Sequence, residues 1–295
     1  MSAQAVIVEF AVGEQPAQVS LAEAEAIATA AETWGIAAIR LLDRAGDLPA
    51  LDPSVVAAHL AGRHPGIGWL VDAPTTHNAP YNLARRIASI NRATAAGAGV
   101  TLLAGLGDEV SDAVTDRDAT DAAQRWFEYA EILTRLWDSF PAAALLGDQQ
   151  RAVVVDDALI RPIDFTGRYY RVAGPLDGPV HERPVLVAAQ SSGVGWAGVA
   201  AVADAVIVDI AELGPRTTQL LDTLSSRGGR DDVAVLARVT EAGAVGDDPD
   251  ADGYVLAPAG GATEILRAIE ALEVTPSVRN LRAALGLPVS GRVSA

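Results

Sequence analysis

Eight short apolar runs recur along the 295-residue chain, and Ala-rich stretches with helical spacing separate them. Each run is nearly continuous in apolar residues, which is typical of parallel strands that are covered on both faces. The runs lie at residues 6–12, 37–42, 67–71, 99–104, 184–189, 205–208, 233–239 and 253–257. Eight strand–helix units in this order predict an α/β fold. They favour a closed (β/α)8 TIM barrel over an open doubly wound sheet, in a single domain covering residues 1–295.

Two segments interrupt this alternation. Residues 141–183 are too long for a plain connection between a helix and a strand, so they predict an excursion before the fifth strand. Residues 240–252 are rich in Gly, Asp and Pro at the place where a seventh helix should stand. We therefore expect that helix to be reduced.

Charge and composition exclude several classes of protein. The formal charge of −16 argues against a nucleic-acid partner or an anionic membrane surface. The chain has no cysteine, which excludes disulfides, thiolate catalysis and Cys-ligated metal centres. Its four histidines lack metal-ligating spacing, and residues 248–253 match only the first half of a calcium loop, so no metal site is predicted. Without a signal-peptide pattern or a long apolar run, the chain is expected to be soluble and cytoplasmic.

Polar residues follow several of the predicted strands, at the end where barrel enzymes carry their active sites. Asp43 ends the second strand, and Thr75 and Thr76 follow the third. The two threonine hydroxyls can hydrogen-bond a flat heterocycle, although turns and caps are the ordinary role of such residues. No catalytic base can be named from the sequence, because no paired carboxylates and no Ser/His/Asp arrangement are visible.

A second polar group follows the fifth strand. Ser191 and Ser192 stand where a helix begins, so free backbone amides and hydroxyls can hold a phosphate there. The alternative is that Ser192 is an ordinary N-cap. The glycines at 193, 195 and 198 fit a dinucleotide-binding pattern, but the next strand follows too soon for that unit.

Four sequence blocks together resemble the bacterial-luciferase-like flavin-dependent monooxygenases. The resemblance is to the branch of nitrilotriacetate monooxygenase component A, dibenzothiophene-sulfone monooxygenase and long-chain alkane monooxygenase. The blocks begin Thr-Thr-His-Asn-Ala-Pro-Tyr, Glu-Tyr-Ala-Glu-Ile-Leu, Pro-Ile-Asp-Phe-Thr-Gly and Arg-Pro-Val-Leu-Val-Ala, and they occupy residues 75–89, 128–139, 162–176 and 183–192.

The resemblance implies a luciferase-like TIM barrel and a two-component reaction. Reduced FMN, supplied by a separate NAD(P)H:flavin reductase, would react with O₂ to oxygenate a small organic substrate. Carried over by position, Asp43 and Thr76 contact the isoalloxazine region beside Thr75, while Ser191 and Ser192 hold the phosphate. A homo-oligomer is also expected.

Several positions depart from the family pattern. Residues 101–105 read Thr-Leu-Leu-Ala-Gly where the family carries Asn-Val-Val-Thr-Ser, so terminal hydroxyls are lost at Ala104 and Gly105. Ala119 and Ala123 occupy the positions of a family His and Tyr. Weakened flavin binding is therefore one expectation. Two alternatives stay open: a non-catalytic flavin-binding or interaction relative, and a deazaflavin-dependent oxidoreductase.

Overall fold

The computed structural model describes residues 4–76, 78–105, 121–189, 194–227, 233–246, 248–272 and 280–288. Eight parallel strands close into a barrel in which each strand pairs with the next along the chain and the last pairs with the first. They are β1 (Ala5–Phe10), β2 (Ala38–Leu41), β3 (Gly68–Pro74), β4 (Ala98–Leu103), β5 (Val185–Ala189), β6 (Ala205–Asp209), β7 (Ala234–Val239) and β8 (Gly253–Leu256). The predicted (β/α)8 barrel is confirmed.

Helices surround the barrel. They are α1 (Leu21–Thr33), α2 (Pro53–Ala61), α3 (Pro80–Ala93), α4 (Ala122–Asp138), α5 (Trp196–Val202), α6 (Leu213–Arg227), α7 (Ala262–Glu270) and α8 (Leu281–Ala284). Between β7 and β8, the described residues form only a short 3-10 turn at Ala242–Ala244. This confirms the reduced seventh helix. No helix in the described part of the chain is long and apolar enough to cross a bilayer.

Local sequence signals set where the early helices begin. The Ser20 hydroxyl accepts from the backbone N–H of Glu23, and the Glu23 carboxylate accepts from the backbone N–H of Ser20 at 2.7 Å, which forms a capping box for α1. Asp52 caps α2 through the backbone N–H of Ser54 at 2.8 Å, with Pro53 at the first helical position.

The predicted excursion lies between α4 and β5. It contains two short antiparallel pairs, Leu145–Asp148 with Val153–Val155 and Phe165–Thr166 with Arg171–Val172. The excursion is fixed to the barrel rim because the buried Tyr170 donates its hydroxyl hydrogen to the carbonyl of Thr75 at 3.0 Å. It therefore covers the outside of the β3 end.

The inside of the barrel is packed in layers. Its lower layers are apolar, built from residues such as Ile7, Leu70, Val187, Leu236 and Val255. Close strand approach requires small residues here, since a Cβ added at Gly99 would lie 2.3 Å from the carbonyl oxygen of Val185. These layers form a solid floor beneath the carboxyl ends of the strands.

The segment around α8 closes the amino end of the barrel. Leu281 packs with the apolar inner layer, and its N–H donates to the carbonyl of Ala96 at 2.7 Å. Next to it, the fully buried Asp204 accepts from Arg282 Nη1 at 3.1 Å and from Arg183 Nη2 at 2.7 Å. These two guanidinium groups hold the pKa of Asp204 below its usual value although burial acts in the opposite direction.

Candidate active site at the carboxyl end of the barrel

A chain of four charged side chains crosses the upper interior of the barrel. Arg40 on β2 contacts both oxygens of Asp72 on β3, with Nε to Oδ1 at 2.8 Å and Nη2 to Oδ2 at 3.1 Å. Its Nη1 donates to Glu9 Oε2 on β1 at 2.6 Å. Arg238 on β7 completes the chain, because its Nε donates to Glu9 Oε1 at 2.7 Å. We call these four residues the ion chain.

The ion chain follows from strand periodicity. Side chains two residues apart on a strand share a face. Glu9, Arg40, Asp72 and Arg238 each stand two positions after an inward apolar residue, respectively Ile7, Ala38, Leu70 and Leu236. The inner face therefore changes from apolar to charged toward the carboxyl ends of the strands.

Burial dominates the electrostatics at the inner end of the ion chain. Burial raises the pKa of Asp72 to about 6, while the charge and hydrogen bonds of Arg40 act in the opposite direction. The negative charges of Glu9 and Asp43 also raise this pKa. Asp72 is thus the member of the ion chain whose protonation changes most readily under mildly acidic conditions.

Two adjoining cavities open above the ion chain. The larger has a volume of about 740 Å³ and a wall that includes Ala189, Ile207, Asp209 and Arg216. The smaller has a volume of about 590 Å³ and a mostly apolar wall. The residues that line both cavities are Glu9, Leu42 and Arg238. Both volumes fall within the range of small-molecule sites, about 300–1,000 Å³.

Asp43 and the two threonines lie at this end of the barrel. Asp43 stands just beyond the end of β2 and is close enough to Asp72 for its charge to affect that carboxyl group. Thr75 and Thr76 are buried after β3. Thr76 packs beside Gly105, whose φ of 79° suits glycine, because a Cβ there would lie 2.7 Å from the Thr76 Oγ1.

The hydroxyl of Thr75 is already engaged within the protein. It donates to the carbonyl of Ala104 at 2.7 Å and accepts from Arg125 Nε at 3.2 Å. Thr75 therefore ties the ends of β3 and β4 together. Ser191 and Ser192, the predicted phosphate contacts, lie outside the described residues, as does Ala119. Ala189, the last residue of β5 before them, lines the larger cavity.

Arg125 is an unusual residue at the same rim. It stands in the first turn of α4, which is fixed to the barrel because Trp126 Nε1 donates to the carbonyl of Leu102 at 2.7 Å. The side chain of Arg125 is buried, its Nη2 donates to the Ala104 carbonyl at 2.8 Å, and its Nη1 has no hydrogen-bond partner among the described residues. A buried guanidinium with an unused donor is costly, so this position favours an anionic ligand.

A second buried donor without a partner lies inside the barrel. Thr101 on β4 stands opposite Asp72 in the strand register, and its Oγ1 has no hydrogen-bond partner in the described part of the chain. The described residues contain no cluster of three or more metal-ligating side chains. The site thus offers buried N–H and O–H donors and carboxylates.

The family model for luciferase-like monooxygenases matches residues 5–265 of the chain. The chain belongs to this family. The resemblance predicted from the four sequence blocks is therefore confirmed.

Curated relatives of this luciferase-like chain include several monooxygenases. Nitrilotriacetate monooxygenase component A from Aminobacter aminovorans is 32% identical over 53% of the chain and 36% of its own length. A protein of pristinamycin IIA synthase from Streptomyces pristinaespiralis is 27% identical over 88% of the chain and 86% of its own length. N-acetyl-S-(2-succino)cysteine monooxygenase from Bacillus subtilis is 26% identical over 54% of the chain. The chain spans only 37% of that relative's length.

Solved structures agree with the luciferase-like barrel. EDTA monooxygenase from Chelativorans sp. BNC1 has a TM-score of 0.72 at 18% identity and covers 97% of this chain and 99% of its own. Long-chain alkane monooxygenase has a TM-score of 0.67 at 18% identity, covering 82% of this chain and 65% of its own. At these identities the likeness supports the fold.

The ion chain and Arg125 are the features of this luciferase-like site that the sequence reasoning did not identify. The signal for the ion chain was present, since each charge interrupts an otherwise apolar strand at its last inward position. Arg125 carried no comparable signal. On the sequence it is one of several charged residues at helical spacing, and its burial depends on the packing of α4 against β4.

Proposed function

We propose that this chain is the oxygenase component of a two-component FMN-dependent monooxygenase. Reduced FMN from a separate NAD(P)H:flavin reductase and O₂ would serve to oxygenate a small organic substrate. The observation that carries the proposal is the pair of cavities that meet at Glu9, Leu42 and Arg238, since a cofactor and a substrate need adjoining spaces. Nitrilotriacetate monooxygenase component A and the pristinamycin IIA synthase protein are both named as one part of a larger enzyme, which supports a separate reductase.

The buried donors at the rim fit a phosphorylated flavin. Arg125 Nη1 has no hydrogen-bond partner among the described residues, and an anionic phosphate oxygen is the acceptor that a buried guanidinium favours. In this proposal Ser191 and Ser192 add hydroxyls and backbone amides to the same phosphate. Arg125 thereby offsets part of the loss of the family's His and Tyr at Ala119 and Ala123.

Further residues would hold the ring and the substrate. Asp43 and Thr76 contact the isoalloxazine region in this proposal, with Thr75 fixing the loop that carries Thr76. When bound, the cofactor supplies the electrons that activate O₂. The protein supplies orientation, and the apolar wall of the smaller cavity excludes water from the reacting groups.

The test is an anaerobic titration of the purified protein with reduced FMN, oxidised FMN and the deazaflavin coenzyme. We expect saturable binding of reduced FMN that is tighter than binding of the other two. Preference for the deazaflavin would replace the proposal with a deazaflavin-dependent oxidoreductase.

A second measurement separates an oxygenase from a flavin carrier. Reduced FMN is generated by any reductase, and O₂ consumption is followed with and without candidate substrates. Coupled product formation is expected. If the protein binds reduced FMN but the oxidation rate stays unchanged with every substrate tried, the carrier alternative replaces the enzyme. Light scattering of the cytoplasmically expressed protein tests the expected homo-oligomer.

A further inference from the structure

The charges of the ion chain alternate in sign from its inner end to its outer end. Asp72, Arg40 and Glu9 are buried, with side chains 5%, 7% and 2% exposed, whereas the side chain of Arg238 is 39% exposed. The sequence of charges is thus negative, positive, negative and positive. The positive end stands where the two cavities meet.

A count of donors and acceptors shows that only the outer end can bind a ligand strongly. Both oxygens of Asp72 contact Arg40, and the oxygens of Glu9 contact Arg40 and Arg238. Arg238 Nε and Nη2 both contact Glu9 Oε1 at 2.7 Å. Its Nη1 has no hydrogen bond or ion pair to any residue the structure describes. The N–H groups of Arg238 that point away from Glu9 are therefore available.

Stability alone does not account for this arrangement. Buried ion pairs lose most of their Coulomb energy to desolvation, and well-packed apolar side chains are often as stable or more so. Four strands nevertheless contribute one charge each. The arrangement holds one face of the Arg238 guanidinium against Glu9, which reduces the entropy that Arg238 loses when a ligand binds.

The smaller cavity determines which ligand fits. Apart from Glu9 and Arg238, its charged lining residue is Asp47, and the remainder is mostly apolar, including Phe10, Val19, Leu42, Pro258 and Ile265. Glu9 is neutralised by two guanidinium groups. The larger cavity instead carries Asp209 and Glu212 beside Arg216, so an anion is better accommodated on the smaller side.

We propose that Arg238 is a substrate-binding residue for an organic carboxylate whose apolar part occupies the smaller cavity. A guanidinium fork matches a carboxylate through two parallel hydrogen bonds, which gives both affinity and orientation. Calling this ligand the substrate rests on the proposed monooxygenase function. The anion site itself rests on the geometry of the ion chain and the cavity.

The experiment measures binding of matched acid and amide pairs to the protein without flavin. The probes are hexanoate, octanoate, cyclohexanecarboxylate and benzoate, each compared with its primary amide by isothermal titration calorimetry. We expect at least one acid to bind about tenfold more tightly than its amide. The proposal is overturned if no acid is preferred over its amide.

Variants identify the residue responsible. Arg238→Gln should abolish the preference for the acid, and Arg238→Lys should retain part of it because the charge remains. Arg267→Gln on α7 removes the same charge from a side chain that is 74% exposed, and it should leave the preference unchanged. An undiminished preference in Arg238→Gln would contradict the proposal.

Two further readouts separate this inference from other causes. Unfolding curves show whether Arg238→Gln folds; if it does not, Arg238→Lys and Glu9→Gln serve instead, with a weaker acid preference expected in both. Titration with reduced FMN separates the two proposals. Loss of acid preference with unchanged FMN binding supports the role of Arg238. Acid preference in a protein that does not bind reduced FMN would refute the monooxygenase but keep the anion site.

Discussion

Asp72 provides a direct test of whether burial or pairing controls the ion chain. Burial raises its pKa from the ordinary value of 3.8 to about 6, against the opposing effect of Arg40. The folded protein therefore binds this proton more tightly than the unfolded chain does. By linkage, the stability contributed by protonated Asp72 is fully present below about pH 4 and is lost as the pH rises through about 6.

The magnitude follows from the size of the change. Each pKa unit corresponds to about 1.4 kcal/mol of difference between the two protonation states. The rise from 3.8 to about 6 thus corresponds to about 3 kcal/mol of unfolding free energy, lost between about pH 4 and about pH 7. This is a large fraction of the stability of a typical domain.

The assay compares the wild type with Asp72→Asn by urea unfolding at several pH values in this range. Other carboxylates contribute nearly equally to both proteins, so their titration cancels in the difference. The variant also loses a hydrogen bond with Arg40, but that loss does not depend on the titration of Asp72. We expect the stability of the wild type relative to the variant to fall by about 3 kcal/mol from about pH 4 to about pH 7. Asp222→Asn, on the exposed side of α6, controls for removal of a carboxylate.

The sign of the pH dependence decides the question. A difference that rises with pH would mean that pairing with Arg40 outweighs burial and lowers the pKa of Asp72. A difference that does not change with pH would mean that the pKa of Asp72 is the same in the folded and unfolded states. Either result would refute the reasoning.

Three other changes test separate parts of the molecule. Replacing Ser191 and Ser192 by Ala should weaken FMN binding about tenfold to thousandfold but leave riboflavin binding nearly unchanged, measured by fluorescence titration; equal losses would indicate a damaged fold. Asp204→Asn should lower the free energy of unfolding by about 3–5 kcal/mol in urea without changing flavin binding, because two buried arginines lose their charged partner. Gly99→Ala should destabilise the barrel by about 1–3 kcal/mol, whereas Gly243→Ala, with no atom within 4 Å of the added Cβ, should be neutral.

The barrel could be predicted from the sequence because its signals are local and repeated. Each of the eight predicted runs overlaps one barrel strand, from Ala5–Phe10 to Gly253–Leu256. The reduced seventh helix was also predictable, since the Gly- and Asp-rich segment after β7 has too few helix-forming residues. Strand boundaries differ by one or two residues where the ends of the apolar runs continue into loops.

The site could be predicted only where position along a strand was sufficient. Asp43, Thr75 and Thr76 lie at the predicted end of the barrel. The engagement of the Thr75 hydroxyl by Ala104 and Arg125 could not be foreseen, because these contacts join residues 29 and 50 positions apart. Such contacts depend on how α4 and the ends of β3 and β4 pack together.

The ion chain connects the architecture of the barrel to its proposed chemistry. A barrel of eight strands can place charges from β1, β2, β3 and β7 within hydrogen-bonding distance only in its interior, above the apolar layers. There the charges lose most of their hydration, so each carboxylate must be paired or protonated. The half-exposed Arg238 is the member that both joins this network and faces the cavities. A ligand bound to Arg238 therefore also affects Glu9, Arg40 and Asp72, and an anion there should favour the protonated form of Asp72.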